Sequence, residues 1–283
     1  MTITEALKFH DDAAILLSFV LKRDKAFLFT YPEKPLTRKQ EQKFRRLVKQ
    51  RSKGMPVAYL TGKKEFFGLE FFLNRHVLIH RPETEGLVEL ILGAAFVRSQ
   101  KSGAKILDLG TGSGCIIITL ANRLGDPESS SGLRFFASDI SKAALKVAQK
   151  NAKRHSVEIT FKQGDLLKPW LARRSLGAGG KNQRFDVVVA NLPYLAKQTA
   201  STKFEPKNAL VAKKQGLELI EKLIRQIRSH SQIRPFADSI FLEFDPRQET
   251  KIKTLAASLL PGYKIKFFRD LAGLPRFARF TSS

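Results

Sequence analysis

From Ala104 onward the chain alternates short apolar segments with segments of helical periodicity, and this alternation limits the fold more than any other feature of the sequence. The apolar segments are rich in β-branched and aromatic residues, which buried strands favour. Strands that alternate with helices form mostly parallel sheets with helices on both faces. We therefore predict an α/β fold. The predicted strands are 104–108, 133–138, 157–162, 185–190, 239–244, 263–269 and 276–281.

The first quarter of the chain has a different pattern. Apolar residues recur at helical spacing between residues 4 and 53, and Thr37 with Gln40 has the spacing of a capping pair. Aromatic residues on both sides of Gly68 predict a hairpin within residues 64–72. The predicted domains are a helical domain (1–55), a hairpin linker (56–83) and an α/β domain (84–283).

The length and composition are typical of a water-soluble globular protein. A chain of 283 residues, 43% of them hydrophobic, can bury one large core or two smaller ones. No run of about 18 apolar residues could span a bilayer, and the amino terminus lacks a secretory signal pattern. Five dispersed histidines and one cysteine, Cys115, show no metal-ligand spacing. We expect a monomeric cytoplasmic protein without a metal site or membrane contact.

The chain is strongly basic, with a formal net charge of +24 spread along its whole length. Such a field attracts nucleic acid, ribosomes or an acidic protein, although it carries no information about the fold. No cluster of arginines or basic-aromatic motif marks one region. Contact with RNA or the ribosome through a basic surface and a general bias toward Lys and Arg are both consistent with this composition.

A glycine-rich loop follows the first predicted strand. The sequence KILDLGTGSGCIIITLA, residues 105–121, ends a strand at Asp108 and begins a helix directly after three glycines. Because glycine lets the backbone turn tightly and approach a ligand, the loop predicts a nucleotide-like cofactor; glycines that only fit a tight turn are the alternative. The spacing G-x-G-x-G differs from the G-x-G-x-x-G of dinucleotide enzymes. The candidate cofactor-binding residues are Gly110, Thr111, Gly112, Ser113 and Gly114.

Acidic residues follow the next two predicted strands. Asp139 ends the second strand, where a carboxylate can accept hydrogen bonds from both hydroxyls of an unmodified ribose. Ser141 is placed to cap the helix that follows. Asp165 follows the third strand at a position from which it can reach an adenine amino group, with Leu166 packing beside the ring. The alternative is that each acid is only a solvated turn residue.

A polar tetrad ends the fourth predicted strand. The run FDVVVANLPYLA, residues 185–196, passes from buried-looking valines to Asn-Leu-Pro-Tyr. The carboxyl ends of parallel strands form the edge where open sheets bind their ligands. The tetrad is therefore a candidate catalytic and substrate-binding site, formed by Asn191, Leu192, Pro193 and Tyr194.

The glycine loop, the two acids and the tetrad, in this order, resemble a class I S-adenosylmethionine-dependent methyltransferase. The tetrad resembles the Asn-Pro-Pro-Tyr motif of enzymes that methylate planar nitrogens of amides or bases. The resemblance implies that the Asn191 side chain and a neighbouring backbone carbonyl accept both N–H groups of the target, so that its nitrogen faces the sulfonium methyl. Asn191 would then contribute to the cofactor site as well, and Tyr194 would pack on the flat target group.

Leu192 departs from that motif, in which proline occupies its position. Leucine supplies the same carbonyl, and the following Pro193 biases it toward the same extended geometry, so we expect the site to be retained. Asn-Leu-Pro-Tyr, however, resembles the ribosomal RNA adenine dimethyltransferases at this position. The tetrad alone leaves amide and adenine substrates open.

Residues 56–89 favour the amide. This segment resembles the inter-domain segment of the peptide chain release factor glutamine N5-methyltransferases (HemK or PrmC type), including Arg-Pro-Glu-Thr-Glu at 81–85, although His80 replaces the family's usual proline. Further similar segments are Glu205-Pro206, Ala209-Leu210, Leu242-Glu243 and Arg269-Asp270-Leu271-Ala272-Gly273. The resemblance implies a seven-stranded Rossmann-like sheet, S-adenosylmethionine as methyl donor and the glutamine of the Gly-Gly-Gln loop of release factors as target. The helical domain would dock this protein, or act only as a lid over the cofactor.

Two other functions stay open from the sequence alone. An RNA or DNA adenine-N6 methyltransferase is suggested by Leu192 and the positive charge, and a cofactor-binding but inactive ribosome-associated protein by the same features. The RNA dimethyltransferases place the glycine loop near the amino terminus, whereas about 100 residues precede it here. This arrangement favours the release factor.

Overall fold

The computed structural model describes residues 1–94, 103–125, 132–171, 184–230 and 236–282. The chain divides into two compact units, one of residues 1–64 with 73–75 and the other of residues 65–72 with 76–283. Within the described ranges, every helix is too short or too polar to cross a bilayer. The same ranges contain no group of three His, Cys, Asp or Glu side chains arranged to hold a metal ion.

The first unit is helical. Its helices are α1 (Ile3–Leu7), α2 (Ala13–Leu21), α3 (Lys25–Thr30), α4 (Arg38–Ser52) and α5 (Val57–Thr61). The predicted capping pair at the start of α4 is confirmed: the Thr37 hydroxyl accepts from the Gln40 N–H at 3.3 Å, and the Gln40 side-chain oxygen accepts from the Thr37 N–H at 2.9 Å. Phe44, Leu47 and Val48 lie on one side of α4 and pack into the unit's own core.

A hairpin follows α5. Strands β1 (Lys63–Phe66) and β2 (Leu69–Phe72) form a two-stranded sheet, as predicted for residues 64–72. The two turn residues, Phe67 and Gly68, have positive φ angles of 53° and 77°. Two consecutive positive φ angles are characteristic of the tight turn that matches the twist of a two-residue hairpin.

The second unit contains α6 (Glu83–Leu92) and a seven-stranded sheet with its helices. The strands are β3 (Lys105–Leu109), β4 (Arg134–Asp139), β5 (Ile159–Gln163), β6 (Phe185–Asn191), β7 (Ala237–Glu243), β8 (Tyr263–Arg269) and β9 (Pro275–Ser282). The helices are α7 (Cys115–Leu124), α8 (Lys142–Arg154), α9 (Glu218–His230) and α10 (Glu249–Leu259). Short 3-10 helices lie at Lys168–Trp170, Ala200–Thr202, Lys207–Ala209, Lys214–Gly216 and Pro246–Gln248.

The strand order is β5-β4-β3-β6-β7-β9-β8. All neighbours are parallel except β9, which pairs antiparallel with both β7 and β8. The predicted α/β fold with a mostly parallel seven-stranded sheet and a small helical region before it is therefore confirmed. The predicted strands match the observed ones to within two residues at each end.

Both faces of the sheet are covered, and this explains why the middle of β6, from Val187 to Ala190, is apolar without interruption. Val187 and Val189 belong to a buried cluster with α6 and α7, whereas Val188 and Ala190 belong to a second cluster with α9 and α10. Successive residues of a strand point to opposite faces, so a strand covered on both sides has no exposed position.

The connectivity determines where the site lies. The chain runs outward from β3 through β4 to β5 and then returns to β6 on the other side of β3. Ligands in open α/β sheets bind beside such a reversal, at the carboxyl ends of the strands. The glycine loop after β3 and the tetrad after β6 therefore meet at one edge.

Candidate active site

The glycine loop joins β3 to α7. Gly110, Gly112 and Gly114 have φ angles of 69°, 55° and 83°, which side chains disfavour. A Cβ at Gly114 would lie 2.7 Å from the Ile118 side chain and 3.3 Å from Ala148. The backbone path and the close packing of α7 on α8 both depend on these glycines.

Two aspartates, Asp108 and Asp139, form hydrogen bonds with the glycine loop. Burial raises the pKa of Asp108 to about 7, and its Oδ2 accepts a hydrogen bond from the Thr111 hydroxyl at 2.6 Å. Asp139 accepts from the Gly112 N–H at 2.9 Å and from the Ser141 N–H at 2.8 Å, and burial raises the pKa of its carboxyl as well. A further backbone hydrogen bond, from Ile140, opposes this rise, and a carboxylate with about four acceptor positions still has capacity for a ribose hydroxyl.

Asp165 lies where β5 ends. Burial raises the pKa of its carboxyl, but hydrogen bonds from Lys222 and Lys168 outweigh burial and lower the pKa overall. The two ammonium groups lie 2.6 Å and 3.2 Å from Oδ2. Leu166 beside it is buried and has a positive φ of 54°.

A cavity of about 280 Å³ opens above the loop, within the second unit. The predicted site residues that line it are Gly110, Gly112, Asp139, Asp165, Leu166, Asn191, Leu192 and Pro193. Thr111, Ser113 and Gly114 are not among its lining residues and act on the loop's own geometry, through the contacts described above for Thr111 and Gly114. Open backbone over the glycines, an acceptor at Asp139 and an apolar side at Leu166 fit a nucleoside-containing cofactor.

A second cavity of about 410 Å³ lies on the other side of the tetrad. Both cavities are lined by Asn191, Leu192 and Pro193, whereas Tyr194 and Arg276 line only the second. The tetrad therefore borders both cavities. No residue of the glycine loop lines the second one.

The polar side chains of the tetrad converge on one buried carboxylate, that of Glu243, to which the sequence analysis gave no role in the site. Asn191 Nδ2 donates to Glu243 Oε2 at 3.0 Å and to the Thr84 hydroxyl at 3.1 Å, and Tyr194 Oη donates to Glu243 Oε1 at 3.2 Å. Burial and the nearby Glu243 raise the pKa of Tyr194, so its phenol is neutral. The sequence signal for Glu243 is a glutamate inside the apolar run SIFLEF, and Thr84 was noted only as part of the segment 81–85.

The departure at Leu192 fits its surroundings. The side chain is buried, and a Cβ added at Gly110 would lie 3.1 Å from Leu192 Cδ2. Leucine therefore packs directly over the glycine loop. A Cβ at position 110 would press on the end of this side chain, which would have to shift by a few tenths of an ångström.

Three further contacts shape the second cavity. Arg81 pairs with the buried Glu205 at 2.6 Å, and Glu205 also accepts from the Ile79 N–H at 3.0 Å. Gln248 Nε2 donates to the Tyr194 carbonyl at 3.3 Å. These interactions fix the segment after β6 and the backbone of the tetrad.

Asn151 on α8 joins the hairpin to the glycine loop. Its Oδ1 accepts from the Phe72 N–H at 2.7 Å, and its Nδ2 donates to the Phe72 carbonyl at 3.1 Å and to the Ser113 carbonyl at 2.8 Å. The side chain is fully buried. One carboxamide thus makes three hydrogen bonds to two separate segments.

Comparison with known proteins gives two family matches and many relatives. Residues 5–62 match the PrmC N-terminal domain, and residues 100–232 match a methyltransferase domain. A release factor glutamine methyltransferase of Coxiella burnetii is 37% identical, covering 94% of this chain and 89% of its own. Proteins of the same name from Dictyoglomus turgidum and Bacillus subtilis are 34% and 31% identical, covering 94% and 97% of this chain and 88% and 92% of their own lengths.

Solved structures agree on the fold. The N-terminal domain of human METTL16, determined in complex with SAH, has a TM-score of 0.52 at 16% identity, with 76% of each chain covered. A methyltransferase from Pyrococcus furiosus has a TM-score of 0.50 at 16% identity, covering 82% of this chain and 98% of its own. At these identities the likeness extends to the fold and no further.

Proposed function

The chain belongs to the release factor glutamine methyltransferases, and from this membership we infer that it methylates the side-chain amide nitrogen of a glutamine in peptide chain release factors. The target is the glutamine of the Gly-Gly-Gln loop. S-adenosylmethionine is the methyl donor. The observation that carries the assignment to this site is the tetrad between two cavities, with Asn191 lining both.

We propose that the first cavity holds the cofactor. Asp139 would accept the ribose hydroxyls, Asp165 and Leu166 would contact the adenine, and the loop from Gly110 to Gly114 would carry the rest. When bound, S-adenosylmethionine supplies an electrophilic methyl carbon on a sulfonium, whose departure leaves a neutral thioether. The chain's own residues then need only to place the acceptor correctly.

The tetrad would place that acceptor. An amide nitrogen is a poor nucleophile because its lone pair is delocalised, so alignment and fixed dipoles must lower the barrier. Asn191 Oδ1 and the Leu192 carbonyl would accept the two N–H bonds of the glutamine, Tyr194 would pack on its plane, and Pro193 would keep the turn rigid. The nitrogen gains the methyl carbon and loses one proton to water.

Replacing Asp139 tests the cofactor site. Asp139→Ala removes the acceptor of both ribose hydroxyls, and hydrogen bonds to a charged group are each worth about 1.5–3 kcal/mol. We expect the Kd for S-adenosylhomocysteine, measured by titration calorimetry, to rise about 100-fold. Asp11→Ala, which removes an exposed acid from the first unit, is the control. Affinity within about threefold of the original in Asp139→Ala would contradict the assignment.

We further propose that residues 1–55 form the domain that docks the release factor, 56–83 a linker, and 84–283 the methyltransferase domain. The match of residues 5–62 to the PrmC N-terminal domain supports this division. The net charge of +24 favours a partner with an acidic surface. We propose that the same basic surface also contacts RNA or the ribosome. A monomeric, cytoplasmic enzyme is consistent with this role in translation.

A labelling reaction tests the function. Purified protein is incubated with tritiated S-adenosylmethionine and, in parallel, with an unmethylated release factor, with the same factor carrying Gln→Ala in its Gly-Gly-Gln loop, and with deproteinised ribosomal RNA. We expect label only in the intact factor. Label in the RNA would favour adenine methylation instead, and no label in any acceptor would favour an inactive cofactor-binding protein.

A further inference from the structure

Glu243 is the buried centre of the hydrogen bonds behind the tetrad. It ends β7, directly beside Asn191 in the parallel register of β6 and β7, and is 1% exposed. Its carboxylate accepts from Asn191 and Tyr194, and the hydroxyl of Thr84 on α6 also hydrogen-bonds to it. Neither Glu243 nor Thr84 is among the residues that line the two cavities, so neither is placed to touch the cofactor or the acceptor.

This arrangement selects one orientation of the Asn191 carboxamide. Both Nδ2 hydrogens are used, one by Glu243 and one by Thr84. An ionised carboxylate only accepts hydrogen bonds, so a flipped amide would place Oδ1 against another acceptor. The remaining acceptor, Oδ1, makes no hydrogen bond among the described residues and is left for a ligand in the cavities that Asn191 lines.

We propose that Glu243 and Thr84 are positioning residues: they hold the Asn191 carboxamide with Oδ1 directed at the acceptor amide, and they do so only while Glu243 is ionised. The proposal rests on the function inferred above. A neutral Glu243 carries a proton on one oxygen and becomes a donor itself. The Asn191 amide then gains a favourable flipped orientation in which Nδ2, with two N–H donors, faces the N–H donors of the acceptor.

The pKa of Glu243 lies close to neutral pH. Burial raises its pKa to about 7, hydrogen bonds from Thr84 and Tyr194 and the charge of Arg276 oppose this rise, and the charge of Glu83 adds to it. Cys115 at the start of α7 also lies within electrostatic range. Because the ionised form is the competent one, turnover falls as the pH drops through about 7.

Glu243→Gln tests the proposal with little change of shape, since it exchanges one acceptor oxygen for an NH₂ donor. We expect kcat on the intact release factor to fall by about 100-fold, as for other misaligned catalytic groups, while the Kd for S-adenosylhomocysteine and the melting temperature stay close to those of the original protein. Thr84→Val should lower kcat in the same way, and Thr84→Ser should restore most of it. Glu158→Gln, at an exposed position before β5, is the matched control for charge.

Two pH measurements separate positioning from a merely structural role. The kcat of the original protein should rise between about pH 6 and about pH 8, and that of Glu243→Gln should be flat. The Asn191 side-chain NH₂ signals, identified in ¹⁵N spectra by their loss in Asn191→Asp, should titrate over the same range in the original protein and not in Glu243→Gln.

The outcomes distinguish this proposal from the proposed function. If the original protein is active and Glu243→Gln is equally active with the same pH profile, Glu243 has no positioning role. An original protein that labels no release factor overturns the function, and the titration of the Asn191 amide then decides the orientation by itself. Asn191 signals that do not respond to pH overturn the proposal in either case.

Discussion

Asn191→Ala should reduce turnover on an intact release factor by at least about 100-fold while S-adenosylhomocysteine binds with nearly unchanged affinity. The substitution removes the acceptor oxygen that aligns the target amide, and the loss of one such oriented group typically costs 100- to 1,000-fold in kcat. The hydrogen bond between the Gly112 N–H and Asp139 does not involve Asn191, so the substitution leaves it in place. Single-turnover kinetics together with titration calorimetry would separate the two effects.

The control is Asn122→Ala, an exposed asparagine near the end of α7. Because α7 begins at the site edge of the sheet and runs away from it, position 122 lies far from both cavities, and we expect no change. An Asn191→Ala variant that retains full turnover would mean that the tetrad is not the methylation site. A variant with weakened cofactor binding but unchanged kcat would place Asn191 in the cofactor site alone.

Gly216→Ala should be the most damaging substitution in the segment between β6 and α9. Gly216 has a φ of 87°, and a Cβ there would lie 1.8 Å from the Tyr194 carbonyl oxygen and 2.7 Å from Gln248 Nε2. The Tyr194 backbone must therefore move, and Gln248 loses its contact with it. Strain at positive φ costs about 1–2 kcal/mol and the clash adds to it, so we expect the free energy of unfolding to fall by about 3 kcal/mol.

The displacement of the Tyr194 backbone also affects catalysis. A shift of about 1 Å in a catalytic group can cost about 100-fold in rate, so kcat should fall far more than the affinity for cofactor. Gly103→Ala is the matched control, because its φ of 74° imposes similar strain while no atom lies within 4 Å of the added Cβ. It should lose about 1 kcal/mol of stability and no activity. Equal behaviour of the two variants in urea unfolding and in turnover would show that contact with Tyr194 is unimportant.

The sequence predicted the sheet well because its strands have simple local signals. Central strands such as β6 are covered on both faces and therefore contain uninterrupted apolar runs, and the ends of β3 and β4 are marked by a glycine and an acid at the ligand edge. Asp139 and Gly110 were recognisable because each lies at the carboxyl end of such a strand. Position relative to a strand end is a local property, and a single sequence contains it.

The support of the tetrad was not predictable in the same way. Thr84, Asn191 and Glu243 are far apart in the chain and meet only because α6 packs near the edge where β6 and β7 are adjacent. Periodicity does not show which strands become neighbours. Gly216 was equally hidden, since its importance comes from the approach of the Tyr194 carbonyl and not from any pattern around it.

Asn151 links two segments that lie far apart in the sequence, the hairpin and the glycine loop. Because its carboxamide holds both Phe72 in the hairpin and Ser113 in the glycine loop, a change at position 151 alters both segments at once. Neither aspartate nor leucine can replace it, since one lacks the NH₂ donors and the other lacks every polar atom. We therefore expect substitutions at 151 to be poorly tolerated, whereas a hairpin of different sequence would keep this anchor as long as its backbone follows the same path, because both hairpin contacts are to the backbone of Phe72.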